Sequence, residues 1–474
     1  MTIRDALRTA VLATNPYWPF SIVNKYPYYL AIERFTRLCA HQLPIKSIYL
    51  RSGMVERAWV PALSDIDFMV VIDSGTGNDD EFAQLQNFWR RFASLKKLFP
   101  MIGEVEILND GVIHSWTQFG FTGHMASKWR LLKGTAAIPQ NSAADSRRFS
   151  RDCLHYTLHW MEWYTRSYFA GKFFARDENS ALLRRDLARL ASKIFRSLQH
   201  IAPENGKYDR LEQACSDEHE LCARIIEVME AAIRSTNAAD QSTETEDERV
   251  QWNSQFVTER NPPLEQSALD QSIFARWADV LESAFFDFND QLYLVFRDGR
   301  ASDSRAACLN ALRQPVGRAA KNVTAVSHTV FTYLLTQYLP FEYIHLLRHR
   351  KLAFGADIVP EIAPPPRSAF AEFLLGQVPN VLGFAQSRQF HGTANAHESA
   401  SILERGLLLR LWLEHDFIAP ARQNPLDEYE RCYPDEMQML RALRSGAVSP
   451  NDRKVFERFK MLAETIHAQL AAVH

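Results

Sequence analysis

The stretch that decides the fold reads Tyr49-Leu50-Arg51-Ser52-Gly53 and then, after residues 54–63, Ser64-Asp65-Ile66-Asp67-Phe68-Met69-Val70-Val71. Side chains alternate across a strand, so Asp65 and Asp67 share one face while Ile66 and Phe68 share the other. Two carboxylates on one face repel each other and lose hydration when withdrawn from water. A divalent cation offsets both costs. Magnesium does so with hard oxygen ligands and an affinity for substrate phosphates. A third acid on a neighbouring strand completes a two-ion site. The run MIGEVEIL (101–108) supplies Glu104 and Glu106. Glu106, flanked by Val105 and Ile107, is the first choice, and Glu104, which follows Gly103, is the reserve.

Working outward, YLAIERFTRLCAHQL (28–42) has helical periodicity and ends before Pro44. IKSIYL (45–50) and SDIDFMVVID (64–73) read as strands, EFAQLQNFWRRFASLKKL (81–98) as a helix, and MIGEVEIL as a third strand. That order predicts a mixed α/β unit. Taken together, these residues resemble the signature of the DNA polymerase beta-like nucleotidyltransferase superfamily. That signature is a strand, a Gly-Ser turn, an Asp-hydrophobic-Asp strand and a later lone acid on another strand. Pro61, shortly before Ser64-Asp65, fits bacterial members, and Trp129-Arg130-Leu131-Leu132-Lys133-Gly134 resembles the basic-hydrophobic-Gly element that follows the third acid. The resemblance spans about residues 45–135. One departure stands out: the family turn is Gly-Ser, whereas this chain reads Ser52-Gly53.

The resemblance implies a magnesium-dependent nucleotidyltransferase with two Mg2+ ions on Asp65, Asp67 and Glu106. It implies a nucleoside triphosphate, ATP first among them, as substrate. Ser52, Gly53 and Ser64 would lie on the nucleotide side, and Lys133 or Lys193 would reach the phosphates. The acceptor is an unidentified hydroxyl, with a small molecule favoured over RNA, protein or another nucleotide. A non-catalytic relative that keeps only the fold is the alternative, and the Ser52-Gly53 order is its main support.

From about residue 148 the chain turns to long aromatic-rich helices, and 235–250 is acidic and polar. The expected class is α+β: a nucleotidyltransferase-type mixed sheet with helices, then a helical bundle and a further α/β or helical region. The expected boundaries are 1–147 catalytic, 148–240 helical, 241–264 polar linker, 265–365 and a helical 366–474. In 265–365, QLYLVFRDGR (291–300) reads as a strand and VFTYLLTQYLPFEYIHLL (330–347) as partly strand. FEYIHLLRHRKLAFGADIVPEI (341–362) resembles the element around Lys133-Gly134. The region is therefore a candidate degenerate second nucleotidyltransferase-like unit, with Glu342 standing where Glu106 stands. His155 and His159, spaced i, i+4 among aromatics, read as packing residues more than as a metal pair. The basic patch RHRK (348–351) reads as a solvated turn.

The formal net charge of −2 excludes a broad nonspecific grip on nucleic acid. Six dispersed cysteines lack zinc-like spacing and read as free thiols. No apolar run is long enough to span a bilayer, so the expectation is a soluble cytoplasmic protein.

Overall fold

The computed structural model describes residues 3–51, 54–55, 59–73, 81–110, 113, 129–138, 146–170, 181–199, 201, 215–237, 252, 265–266, 271–287, 290–320, 322–374, 390, 396–415 and 425–472. The chain is α+β, with two small mixed sheets. It divides into two compact units, Thr2–Ser142 with Leu374–His474, and Ala143–Phe373. Residues 374–474 group with the N-terminal part, and the regions 148–240 and 265–365 lie in the other unit.

The first unit opens with α1 (Ile3–Thr14), α2 (Phe20–Val23) and α3 (Tyr26–Gln42). Then come β1 (Ile45–Arg51), β2 (Ile66–Ile72), α4 (Glu81–Leu98), β3 (Ile102–Asn109) and β4 (Arg130–Gly134). The sheet order is β3-β2-β1-β4, with β1 antiparallel to β2 and β4 and β2 parallel to β3. The elements read from periodicity fall within one or two residues of these bounds. On the core face, Ile66, Phe68, Val70 and Ile72 of β2 are all buried. Phe68 stacks on Phe35 of α3 at 3.9 Å between ring centres, and Phe88 and Phe92 of α4 meet Phe35 edge-on. That aromatic cluster is why one side of the Asp-x-Asp strand is apolar.

The second unit holds α5 (Ser146–Ala170), α6 (Ala181–Gln199) and α7 (Glu218–Asn237), then β5 (Glu265–Gln266) and α8 (Ser272–Ala275). It continues with β6 (Leu281–Phe286), β7 (Gln291–Phe296), α9 (Ser302–Ala319), β8 (Asn322–Ser327), α10 (His328–Tyr333), α11 (Pro340–His349) and β9 (Lys351–Gly355). A π-helical turn, Leu334–Tyr338, joins α10 to α11, so 330–347 is helical and not partly strand. Helical packing wins there because Val330, Phe331, Leu334 and Leu335 recur on one buried side. Arg350 of the expected solvated turn is buried. It donates to the Leu346 and Leu347 carbonyls at the end of α11 and pairs with Asp357. The chain then returns to the first unit as α12 (Ala396–His415), α13 (Pro425–Cys432), α14 (Pro434–Arg444) and α15 (Arg453–Ala472). Phe456 of α15 packs on Phe82 of α4, and Lys460 pairs with Glu81.

The two sheets repeat one plan. In the second unit the order is β5-β9-β6-β7-β8, with β6 antiparallel to β7 and β9 and β7 parallel to β8. Without β5 this is the first sheet again, with β6, β7, β8 and β9 in the places of β1, β2, β3 and β4. The irregularities coincide as well. β1 bulges at Lys46 and β6 at Glu282, and β4 bulges at Leu132 where β9 bulges at Ala353. Gly134 stands opposite Ser47 with φ 89°, and Gly355 opposite Ser283 with φ 80°. The next N–H donates back in each case, Thr135 to the Lys46 carbonyl at 3.0 Å and Ala356 to the Glu282 carbonyl at 3.3 Å.

A Cβ at Gly134 or Gly355 would lie 2.0 Å from the Lys46 or Glu282 carbonyl oxygen, whereas one at Gly446, also at positive φ, would meet nothing. Left-handed backbone alone costs a non-glycine residue about 1–2 kcal/mol. Gly134→Ala and Gly355→Ala should therefore lower the calorimetric unfolding midpoint clearly more than Gly446→Ala. Equal shifts for all three would show that the carbonyl contact carries no weight.

Candidate functional site

The face of the first sheet opposite the aromatic core carries the acids. Asp67 is half-buried and stands opposite Arg51 of β1, while Asp65, just before β2, is exposed. Parallel pairing aligns β3 with β2, but the register shifts between Ile66/Ile102 and Phe68/Val105, so β3 bulges at Gly103-Glu104. The bulge brings backbone against the two aspartates. A Cβ built on Gly103 would stand 2.4 Å from Asp67 Oδ1 and 2.8 Å from Asp65 Cβ, so only glycine leaves room for both acids. The Glu104 N–H donates to Asp67 Oδ1 at 2.9 Å. Lys96 of α4 donates to the Gly103 carbonyl at 3.3 Å.

Glu106 lies one pleat further on, opposite Met69, and is buried. Arg51 Nη1 approaches Glu106 Oε2 to 2.9 Å, with both side chains about one-tenth exposed. The guanidinium also lies 5.0 Å from the centre of the Trp129 ring. Burial works against its charge, but Glu106, Asp67 and Glu104 more than offset this and hold its pKa above the ordinary arginine value. Glu104 stays exposed at the sheet edge. Partial loss of water and the neighbouring Asp67 carboxylate raise its pKa, against the pull of Arg51.

Asp65, Asp67, Glu104 and Glu106 thus gather on one face, with Arg51 among them. The nucleotide-side candidates fare differently. Ser52 and Gly53 lie outside the described residues. Ser64 is buried; its hydroxyl accepts the Val60 N–H and its own N–H donates to the Val60 carbonyl, so it closes a turn. Lys133 is exposed on β4 but stands opposite Ile48, three residues back from Arg51, or roughly 10 Å along the strand. Arg130, opposite Leu50, is nearer. Lys193 belongs to the other unit, where its ammonium lies 3.6 Å from the centre of the Trp160 ring. Arg51 and Gly103 were missed in the sequence. Arg51 was readable in principle, since it alternates with Tyr49 toward the Asp67 face.

Among the described residues, no three of His, Cys, Asp or Glu converge as a ready-made metal cage. The donor chemistry separates into two parts. Asp65 and Asp67 are adjacent, reachable from solvent and suited to a hard cation. Glu106, the expected third ligand, is taken up by Arg51. His155 and His159 pack against rings, His155 on Tyr333 and Tyr338, His159 on Trp160 and Trp163. Burial lowers their pKa values to about 3 and about 4, so both are neutral packing residues.

In the second sheet the same places hold other groups. Register puts Gln291 at the place of Asp67, Thr324 at that of Glu106, Tyr293 at that of Met69 and Asp287 at that of Arg51. Thr324, not Glu342, therefore occupies the Glu106 position. Glu342 comes from α11 and accepts from the Tyr293 hydroxyl at 3.3 Å. Gln291 Nε2 donates to Thr324 Oγ1 at 2.9 Å, and Arg166 of α5 donates to Gln291 Oε1 at 3.3 Å.

Fold and site define an α+β protein with a strand-borne carboxylate cluster. Comparison with protein-family models, curated proteins and solved structures returned no match. Among the described residues, no helix is long and apolar enough to cross a membrane, and none of the six cysteines is in a disulfide.

Burial, with Asp287 nearby, pushes the Glu342 carboxyl up to about 7. The folded state then holds this proton more tightly than the unfolded chain does, so stability falls as pH rises from about 4.5 to about 7. Glu342→Gln should flatten that part of the midpoint-against-pH curve and leave the variant more stable than wild type at pH 8. An unchanged curve would mean that Glu342 titrates normally.

Proposed function

We propose that the first unit is a magnesium-dependent nucleotidyltransferase that moves a nucleoside monophosphate from a triphosphate, ATP first, to an acceptor hydroxyl on a small molecule. The observation that carries this reading is the pair Asp65 and Asp67, adjacent at the Gly103 bulge on the open face of a strand that is apolar behind. Acids placed so need a cation, and a cation so placed takes phosphate oxygens as its further ligands.

Asp65 and Asp67 would hold the magnesium, which when bound neutralises charge on the triphosphate. Asp67 is fixed for this by the Glu104 N–H. The acceptor oxygen bonds to the α-phosphorus as the bond to the bridging oxygen breaks, and pyrophosphate leaves with that oxygen. The acceptor proton passes to solvent, because Glu106 is already engaged by Arg51 and is not a free base. The chain contributes orientation and fixed charge, which dominate phosphoryl-type transfers.

The matching sheet in 265–365 is proposed to be a second copy of this unit without its chemistry. Gln291 and Thr324 replace the acids and satisfy each other by hydrogen bonding. A second reading, a nucleotide-binding protein without turnover, is favoured by the Arg51–Glu106 pair, which occupies the third acid.

With MgATP, wild type should show a raised thermal midpoint that Asp67→Asn abolishes and Thr324→Val leaves intact. Incubation with triphosphates labelled at the α-phosphate and with cell-extract fractions should move label into a small-molecule fraction, again dependent on Asp67. No midpoint shift with any triphosphate would sink the reading. A shift without label transfer would select the non-catalytic alternative.

A further inference from the structure

We infer that Arg51 takes the place of the second metal ion, so that the site works with one divalent cation and one built-in guanidinium. The inference rests on the nucleotidyltransferase reading of the same face. A two-ion site needs the third acid free to ligate. Here Glu106 faces Arg51 Nη1 at 2.9 Å, in a pair almost wholly withdrawn from solvent. Both ends of the arginine are fixed. Its backbone pairs with Asp67 across β1 and β2, and its guanidinium lies over Trp129 at the entry to β4. Glu106 Oε2 and Arg51 Nη1 lie close but do not align as a hydrogen bond, and among the buried polar atoms both remain without a hydrogen-bond partner. The contact is therefore chiefly one of charge. That suits an arginine that serves as a fixed cation between Glu106 and Asp67.

The second sheet makes the same point by contrast. Where Glu106 becomes Thr324 and Asp67 becomes Gln291, the Arg51 position becomes Asp287. The two acids that Arg51 faces in the first sheet are absent there, and the arginine is gone with them. In this role Arg51 is a positioning residue: it replaces the ion that Glu106 would otherwise share, and it leaves Asp65 and Asp67 to a single cation.

The test counts ions rather than turnover. The full chain is titrated with Mn2+ in the presence of α,β-methylene-ATP, and bound manganese is read by electron paramagnetic resonance. Wild type should bind one Mn2+ per chain, including the ion that the nucleotide carries, with no dipolar broadening. Arg51→Met should admit a second ion, doubling bound manganese and broadening the signal, and Arg51→Lys should stay at one. Two ions in wild type would overturn the inference and leave the nucleotidyltransferase reading standing. So would Arg51→Met that still binds one. Should Arg51→Met fail to fold, the wild-type count and Arg51→Lys still decide. No site-bound Mn2+ in wild type, with no dependence on Asp67, would overturn both readings.

Discussion

Everything on the open face of the first sheet depends on crowded negative charge. Asp65, Asp67, Glu104 and Glu106 share one face of the sheet, and Arg51 is the cation that the fold places among them. Truncating one partner of a buried ion pair costs about 3–5 kcal/mol, because the other charge is left uncompensated. Arg51 therefore couples three strands at once: its own β1, β2 through Asp67 and β3 through Glu106. Trp129 brings in the start of β4. Behind the sheet, Phe68 on Phe35 supplies the apolar half of the arrangement. The strand carrying the acids is thus held from one side by ring packing and from the other by charge balance.

The second sheet shows which of these forces make the frame and which serve the site. It keeps the strand order, the bulges where the first and last strands pair, and the left-handed glycine that lies against a carbonyl of the neighbouring strand. It keeps none of the three charged residues: the two acids become Gln291 and Thr324, and Arg51 becomes Asp287. The frame is thus specified by backbone geometry and apolar burial, and the acids are not needed to fold it. α5 supplies Arg166 to the Gln291–Thr324 pair, which shows how such a face is satisfied once its charges are gone.

The α/β order of the first unit was legible because its helices and strands have clean periods and firm stops, such as Pro44 and Pro100. Asp65, Asp67 and Glu106 were legible because alternation fixes which face each one takes. The role of Arg51 was not, since it depends on cross-strand register, which no local pattern encodes. The Gly103 contact was hidden for the same reason: the β3 bulge appears only when two strands are aligned. In 330–347, β-branched and aromatic residues suggested strand, but packing at helical spacing decided otherwise. Glu342 does not reach the Glu106 position because α10 and α11 intervene between β8 and β9, and Thr324 of β8 fills that place.

The connection between the first two strands of each sheet bears on what the acids are for. In the first unit, β1 ends at Arg51 and β2 begins at Ile66. In the second, β6 and β7 are joined through residues 287–290 alone, and the Asp287 carboxylate accepts the Gln291 N–H to close the hairpin. A turn that tight spends its polar groups on itself. A phosphate ligand needs the reverse, a longer loop with backbone N–H groups to spare beside the acids. The copy that lacks the Asp67 and Glu106 carboxylates also has the shorter connection. Were the acids only a strand-end adornment, loop length and charge would have no reason to vary together. That they do so, on two frames of the same strand order, is in keeping with the proposal that in the first unit both serve one ligand.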